Sequence, residues 1–257
     1  MQIGLDRTFA PTVRFRNLNI ENAPWAAKRP LIRAAELSAA FDWASLLHGE
    51  RVVVTRLRLV DAEVDLEQQP DGLRNWRLTR PDDRGPGRIR VLTLDPERTR
   101  AHVSLRGAAL ELELQAMPLA NAETLPGLAA LPLTRTLTLR GSRQAQPFDG
   151  AFAISDIISF FDSAHAFALR GDFGVAGARV ALQGQASDLL QFGALDLDLH
   201  ASGARLAALA STFHRPLPAS IPPLAADIRA HLTKTARAWN ASQLVARGAT
   251  VRYPYGR

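Results

Sequence analysis

Many short stretches of this chain alternate apolar and polar residues with a period of two, the spacing that puts every second side chain on one face of a β-sheet. Val13 and Phe15 alternate with Arg14 and Arg16; after Asn17 the phase slips and Leu18 and Ile20 continue it, as a β-bulge would cause. From Arg33 to Trp43 the odd positions Ala35, Leu37, Ala39, Phe41 and Trp43 alternate with Glu36, Ser38, Ala40 and Asp42. Arg56 to Leu59 and Glu63 to Glu67 repeat the pattern with a change of phase near Asp61. Further copies are Val103 to Leu105, Leu110 to Leu114, Leu137 to Leu139, Val180 to Leu182, Leu195 to Leu199, Ile228 to Leu232 and Val251 to Tyr253. About a dozen strands with one wet and one dry face predict a mostly antiparallel sheet.

Helical spacing is scarce. Ala44 to His48 forms a short piece stopped by Gly49, Ser155 could cap a second carrying Ile157, Ile158, Phe160 and Phe161, and a third begins at Ser202 and ends at Pro216. The Pro- and Gly-rich breaks at Pro70 to Gly72, Arg80 to Gly87, Pro126 to Pro132 and Pro216 to Pro223 read as loops, none long enough for a free linker. The expectation is a single continuous body over 1–257, with about three short helices on a field of strands.

The chemistry-bearing residues point away from catalysis. There is no cysteine, so neither a disulfide framework nor a thiolate zinc site is available. The six histidines, His48, His102, His165, His200, His214 and His231, show no metal-ligand spacing, and each is expected at the surface or at a cap. No G-x-S-x-G elbow or Walker loop occurs, and Gly171-Asp172-Phe173-Gly174 reads as a turn between strands. Asp196 and Asp198 would share one strand face as a solvated pair. The net charge is +6, with nine Arg against five acids between Asp71 and Arg106. That surplus suits a solvated loop or an anion-facing patch, while no helix-turn-helix, zinc-finger or aromatic RNA-binding pattern argues for nucleic acid. No apolar run reaches the roughly 18–20 residues of a membrane span. The sequence predicts no enzyme, no metal and no cofactor.

Particular runs carry a resemblance. Pro11 to Trp25, the strand ending at Trp43, Ser45-Leu46-Leu47-His48-Gly49-Glu50, Val54 to Leu59, and above all Asp71-Gly72-Leu73-Arg74-Asn75-Trp76 resemble the AsmA family of bacterial envelope proteins, whose opening carries a D-G-x-x-N-W signature. Leu197 to Leu199, Gly203 to Leu206 and Leu217 to Leu224 are similar to its looser repeat. The resemblance implies a Gram-negative periplasmic protein held in the inner membrane by an N-terminal anchor, here missing before Met1, and continuing past Arg257. It implies a curved, taco-like antiparallel sheet forming an elongated hydrophobic groove, with a chorein-like part over 1–80 and repeated strands over 88–257. Its implied work is phospholipid transport between inner and outer membrane, as in the bridge-like lipid transfer superfamily, with links to outer membrane biogenesis.

On that reading the acyl chains of phospholipid line against Val13, Phe15, Leu37, Phe41, Trp43, Leu57, Leu59, Leu112, Leu114, Leu137, Leu139, Leu195, Leu197 and Leu199. Arg74, Arg77, Arg88 and Arg90 are the candidates for headgroup contact, and Trp76 is either a lock on the preceding hairpin or a lipid contact. Two alternatives stand beside it. The same alternation builds a closed β-sandwich or barrel, which would bury Leu37, Phe41, Leu57, Leu112 and Leu139 against a second sheet. A scaffold or assembly factor for outer-membrane proteins would instead receive partner strands at exposed sheet edges.

Overall fold

The computed structural model describes residues 2–5, 10–48, 52–76, 89–155, 166–175, 177–187, 194–203, 225–235 and 238–248. Its strands are β1 (Gln2–Leu5), β2 (Pro11–Ile20), β3 (Ile32–Phe41), β4 (Val52–Gln68), β5 (Ile89–Val91), β6 (Leu94–Glu97), β7 (Thr99–Leu105) and β8 (Leu110–Glu123). They continue with β9 (Leu133–Arg143), β10 (Gln146–Ile154), β11 (Phe167–Val175), β12 (Ala178–Ala186), β13 (Leu195–Ser202), β14 (Ala225–Lys234) and β15 (Trp239–Gly248). One short helix, α1 (Trp43–His48), joins β3 to β4. The other two expected helices have their bodies outside the described residues, as does the expected strand Val251 to Tyr253.

All fifteen strands belong to one large curved sheet that does not close, because β1 and β15 end the strand order without pairing to each other. The sheet is mostly antiparallel, as the alternation predicts, but mixed, which corrects the wholly antiparallel sheet that the resemblance implies. β4 runs parallel to β5, β6 and β7, and every other pair is antiparallel. The seventeen residues of β4 offer an edge along which three short strands lie in succession, and these run parallel to it because β5 pairs at its start, at Val52, and β7 at its end, at Gln68. Among the described residues no helix is long and apolar enough to cross a membrane.

The phase slips read from the sequence are one structural feature. Asn17, Asp61 and Arg98 each have a left-handed backbone, at φ 50°, 47° and 52°. The pairs Arg16↔Glu36 and Leu18↔Ala34 bracket Asn17, Glu36↔Val60 and Ala34↔Ala62 bracket Asp61 on the same line, and Val60↔Glu97 with Glu63↔Arg100 places Arg98 beside Asp61. The three residues therefore form one row across the sheet, and every strand crossing it changes phase together. On one side of the row Leu37, Leu59 and Leu94 face the core; on the other Leu18, Ala34 and Ala62 take over, and all six pack in one cluster. In β3 this change leaves Ala34 buried and Ala35 exposed, so Ala35 does not belong to the dry face. Arg98 clamps the row by donating Nε to Asp61 Oδ1 at 2.6 Å and Nη2 to Oδ2 at 3.0 Å.

A β-branched side chain fits a left-handed backbone poorly, at about 1–2 kcal/mol. Asn17→Val is accordingly expected to lower the unfolding free energy by about 1–2 kcal/mol, whereas Asn17→Gly leaves it unchanged or raises it. Urea denaturation of the two variants checks this.

Candidate functional site

The register brings most of the sequence-predicted apolar residues onto one face. Val13 pairs with Ala39, Ala39 with Leu57 and Leu57 with Leu94, while Phe15, Leu37, Leu59 and Pro96 make the next row. Beyond β7, Leu112 stands beside Gly141, Leu114 beside Leu139, and Ala116 beside Leu137. The face continues through Phe148, Phe152 and Ile154 of β10, Leu169 and Phe173 of β11 and Leu182 of β12 to Leu195, Leu197 and Leu199 of β13. Phe41 reaches Val54 across a register shift.

Burial along this face is uneven. Ile154 and Phe167 are 0% exposed and pack with Leu169, Ala186, Leu195 and Leu197 in a tight cluster. Val13, Phe15, Leu37, Phe41, Leu57, Leu112, Leu114, Leu137, Leu139 and Leu199 are only half-buried. Among the described residues there is a single sheet, and none of them forms a second sheet opposite these side chains.

Other expectations need correction. Trp43 is on α1, not on a strand, and is 51% exposed; Asp42 ends the alternation by capping that helix, accepting the Ser45 N–H at 2.8 Å. Gly171-Asp172-Phe173-Gly174 is not a turn but the middle of β11, where Gly171 lies under the Phe152 ring of the neighbouring strand. Arg77 and Arg88 lie outside the described residues. Arg74 and Arg90 are both exposed, yet they sit at opposite ends of β4: Arg74 bridges to Gln68 and Arg90 pairs with Val53. An extended β4 separates them by roughly 50 Å, so they do not form one headgroup site. Arg74 instead stacks over the Trp76 ring at 5.6 Å.

The D-G-x-x-N-W segment has its clearest structural role in Asn75. From the loop after β4, the Asn75 side chain donates to Asp65 O at 2.8 Å and to Asn22 Oδ1 at 2.9 Å, and accepts the Glu67 N–H at 2.8 Å. Asn22 donates onward to Asp65 Oδ2 at 3.0 Å. Asp65 and Glu67 read from the alternation as wet-face residues, but they are 3% and 2% exposed. Loop 21–31 folds over them: the Ala27 N–H donates to Glu67 Oε1 at 2.6 Å, and Arg29 approaches Asp65 at 3.7 Å. His102 and Arg106 complete the cluster, at 2.9 Å from Asp65 and from Glu67 respectively. This clasp lies on the opposite face from the apolar one. It pins two loops to the end of β4, and its charges are matched by partners as buried charges must be.

On the same polar face, toward β14, a shallow depression is lined by Arg170, Asp172, Asp198, His200, Arg229 and His231. Its polar side chains are partnered: Arg170 with Glu123, Asp172 with Arg179, His200 with Asp227 at 2.7 Å, and His231 with Asp198 at 2.9 Å and Asp196 at 3.3 Å. The expected solvated pair Asp196 and Asp198 is thus bridged by one histidine.

These pairings set a pH dependence. The hydrogen bond from Arg98 holds Asp61 below the ordinary carboxylate range, and those from Arg58 to Glu97 and from His231 and Gln183 to Asp198 do the same there. For Glu67 burial pushes upward, but the Ala27 N–H and Arg106 outweigh it and the net direction is down. A carboxyl depressed in the folded state stabilises above its unfolded pKa and loses that contribution as pH falls through the folded value. The urea midpoint is therefore expected to hold above about pH 5 and to fall progressively below it, and Glu67→Gln should flatten the fall.

Compared with known proteins, the chain matches no family model, no curated protein and no solved structure.

Proposed function

We propose that this chain is a non-enzymatic envelope protein that shelters phospholipid acyl chains against the apolar face of its sheet, as the resemblance to the AsmA family suggests, and so serves lipid transport between inner and outer membrane. The observation that carries this reading is the combination of a single unclosed sheet with a face of half-buried Leu, Val and Phe residues. Fully exposing a sixteen-carbon chain to water costs on the order of 12 kcal/mol at ~0.8 kcal/mol per methylene. Leu37, Leu57, Leu112, Leu114, Leu137 and Leu139 offer apolar contact that replaces much of that loss without any reaction.

The test is a photoreactive residue placed at Leu139, on the apolar face, or at Arg140, on the polar one, in the chain expressed in a Gram-negative host. Phospholipid adducts at position 139 and none at 140 support the reading; equal labelling, or none at 139, overturns it. The unclosed edges β1 and β15 favour a second reading, a scaffold that adds partner strands. Crosslinks from β1 or β15 to a protein and none from position 139 to lipid would favour it.

A further inference from the structure

Four glycines of the apolar face fall on one diagonal, a pattern that only the register reveals. Gly141 of β9 faces Phe148, and two residues along β10 is Gly150; Gly150 faces Phe173, and two residues along β11 is Gly171. Gly171 faces Leu182, and two residues along β12 is Gly184. Each glycine is one strand on and one row further, so the line crosses the strands at about 35° and runs about 25 Å. This is close to the tilt at which sheets roll into barrels. Side chains wall it on both sides: Leu139, Phe152 and Leu169 on one, Phe173, Leu182 and Leu197 on the other.

The backbone is tightly folded along this line. A Cβ at Gly141, Gly171 or Gly184 would stand 2.2, 2.2 or 2.1 Å from a carbonyl oxygen of the adjoining strand. Two rings lean over the floor, Phe148 at Gly141 and Phe152 at Gly150 and Gly171. One end is sealed, with Leu169 and Leu197 at 4% and 5% exposure, while Leu139, Phe148 and Phe173 toward Gly141 are half-buried. At the open end, one row before Gly141 on the same face, stands Arg143, exposed and without an ion-pair partner among the described residues.

We infer that this diagonal is a lane for one acyl chain of an anionic single-chain amphiphile, tail toward Leu197 and head at Arg143. The inference rests on the lipid reading above and specifies where and in which direction a chain lies. The roughly 25 Å of lane exceeds the about 15 Å that a chain covers in one leaflet of a bilayer core. The exposed Arg143 guanidinium supplies the charge complementary to a carboxylate or phosphate head. The Phe152 ring lies over Gly150 and Gly171, on the path the chain would take.

Titration with the fluorescent fatty acid cis-parinaric acid tests this. Saturable binding to the wild-type chain is expected, with Arg143→Glu weakening it about fivefold and Arg140→Glu, on the opposite face of the same strand, leaving it unchanged. Gly150→Leu, with its fold verified by circular dichroism, should abolish binding. Phe152→Ala should tighten it, whereas a merely structural phenylalanine would weaken it when removed. Competition by palmitate or by lysophosphatidylglycerol distinguishes a carboxylate from a phosphate head. Binding that ignores both Arg143→Glu and Phe152→Ala overturns the lane and leaves the broader lipid reading standing. A wild-type chain that binds no parinaric acid also overturns the lane, and crosslinking at position 139 then decides the broader reading independently.

Discussion

Asn75→Ala is expected to cost about 3 kcal/mol of stability. The change removes three side-chain hydrogen bonds at the end of β4: those to the Glu67 N–H and the Asp65 carbonyl, and the one to Asn22 Oδ1, which keeps the Ala23 N–H at 2.9 Å. Each lost bond is worth about 1 kcal/mol net, and a buried group left unpaired costs more. Asn75→Asp keeps the shape but puts a third carboxylate beside Asp65 and Glu67, both already buried, so it should be at least as damaging. Chemical denaturation with a coincident loss of signal from Trp76 would register the effect. A loss below about 0.5 kcal/mol for Asn75→Ala would mean that the clasp holds nothing.

The second large effect is expected at Gly171. An alanine there would place its Cβ 2.2 Å from Ala151 O and 2.7 Å from Phe152 Cα, both backbone atoms of a strand paired on its other side to β9. Neither can swing away as a side-chain tip could, so Gly171→Ala should cost about 3 kcal/mol, the upper part of the range for overpacking. Gly4→Ala is the control: nothing lies within 4 Å of its Cβ position, and alanine in a strand is if anything preferred to glycine. Thermal unfolding of the two variants should separate them widely, whereas equal midpoints would contradict the tight backbone approach along the glycine diagonal.

How much of this was legible in the sequence depends on the range over which each feature is encoded. Alternation is local, so strands such as Leu110 to Leu114 and Leu195 to Leu199 could be read directly. The phase slips at Asn17 and Asp61 were legible too, because a residue in the left-handed region resets the alternation that follows it. β10 and β11 were not, since their dry positions include Gly150 and Gly171, which carry no apolar signal and look like turn residues. The parallel run beside β4 was hidden because alternation says nothing of a neighbour's direction.

The candidate site divides in the same way. Of the fourteen proposed residues, Trp43 is the one that periodicity misplaced, because Asp42 turns the chain into α1. The clasp was missed because Asp65 and Glu67 alternate like any solvent-facing acids, and only a loop from residues 21–31 makes them buried. Asn75 within the D-G-x-x-N-W segment was the one available signal. The glycine diagonal is invisible without register, since its members are separated by 9, 21 and 13 positions in the chain.

The claim on which the functional account stands is that the apolar face receives hydrocarbon. Native mass spectrometry of the chain purified from a Gram-negative host without detergent measures this directly. The account predicts adducts of phospholipid or single-chain amphiphile mass on the wild-type protein, depleted in a Leu112→Asp variant of unchanged circular dichroism. A wild-type spectrum of the bare chain alone, from cells rich in such lipids, would contradict it.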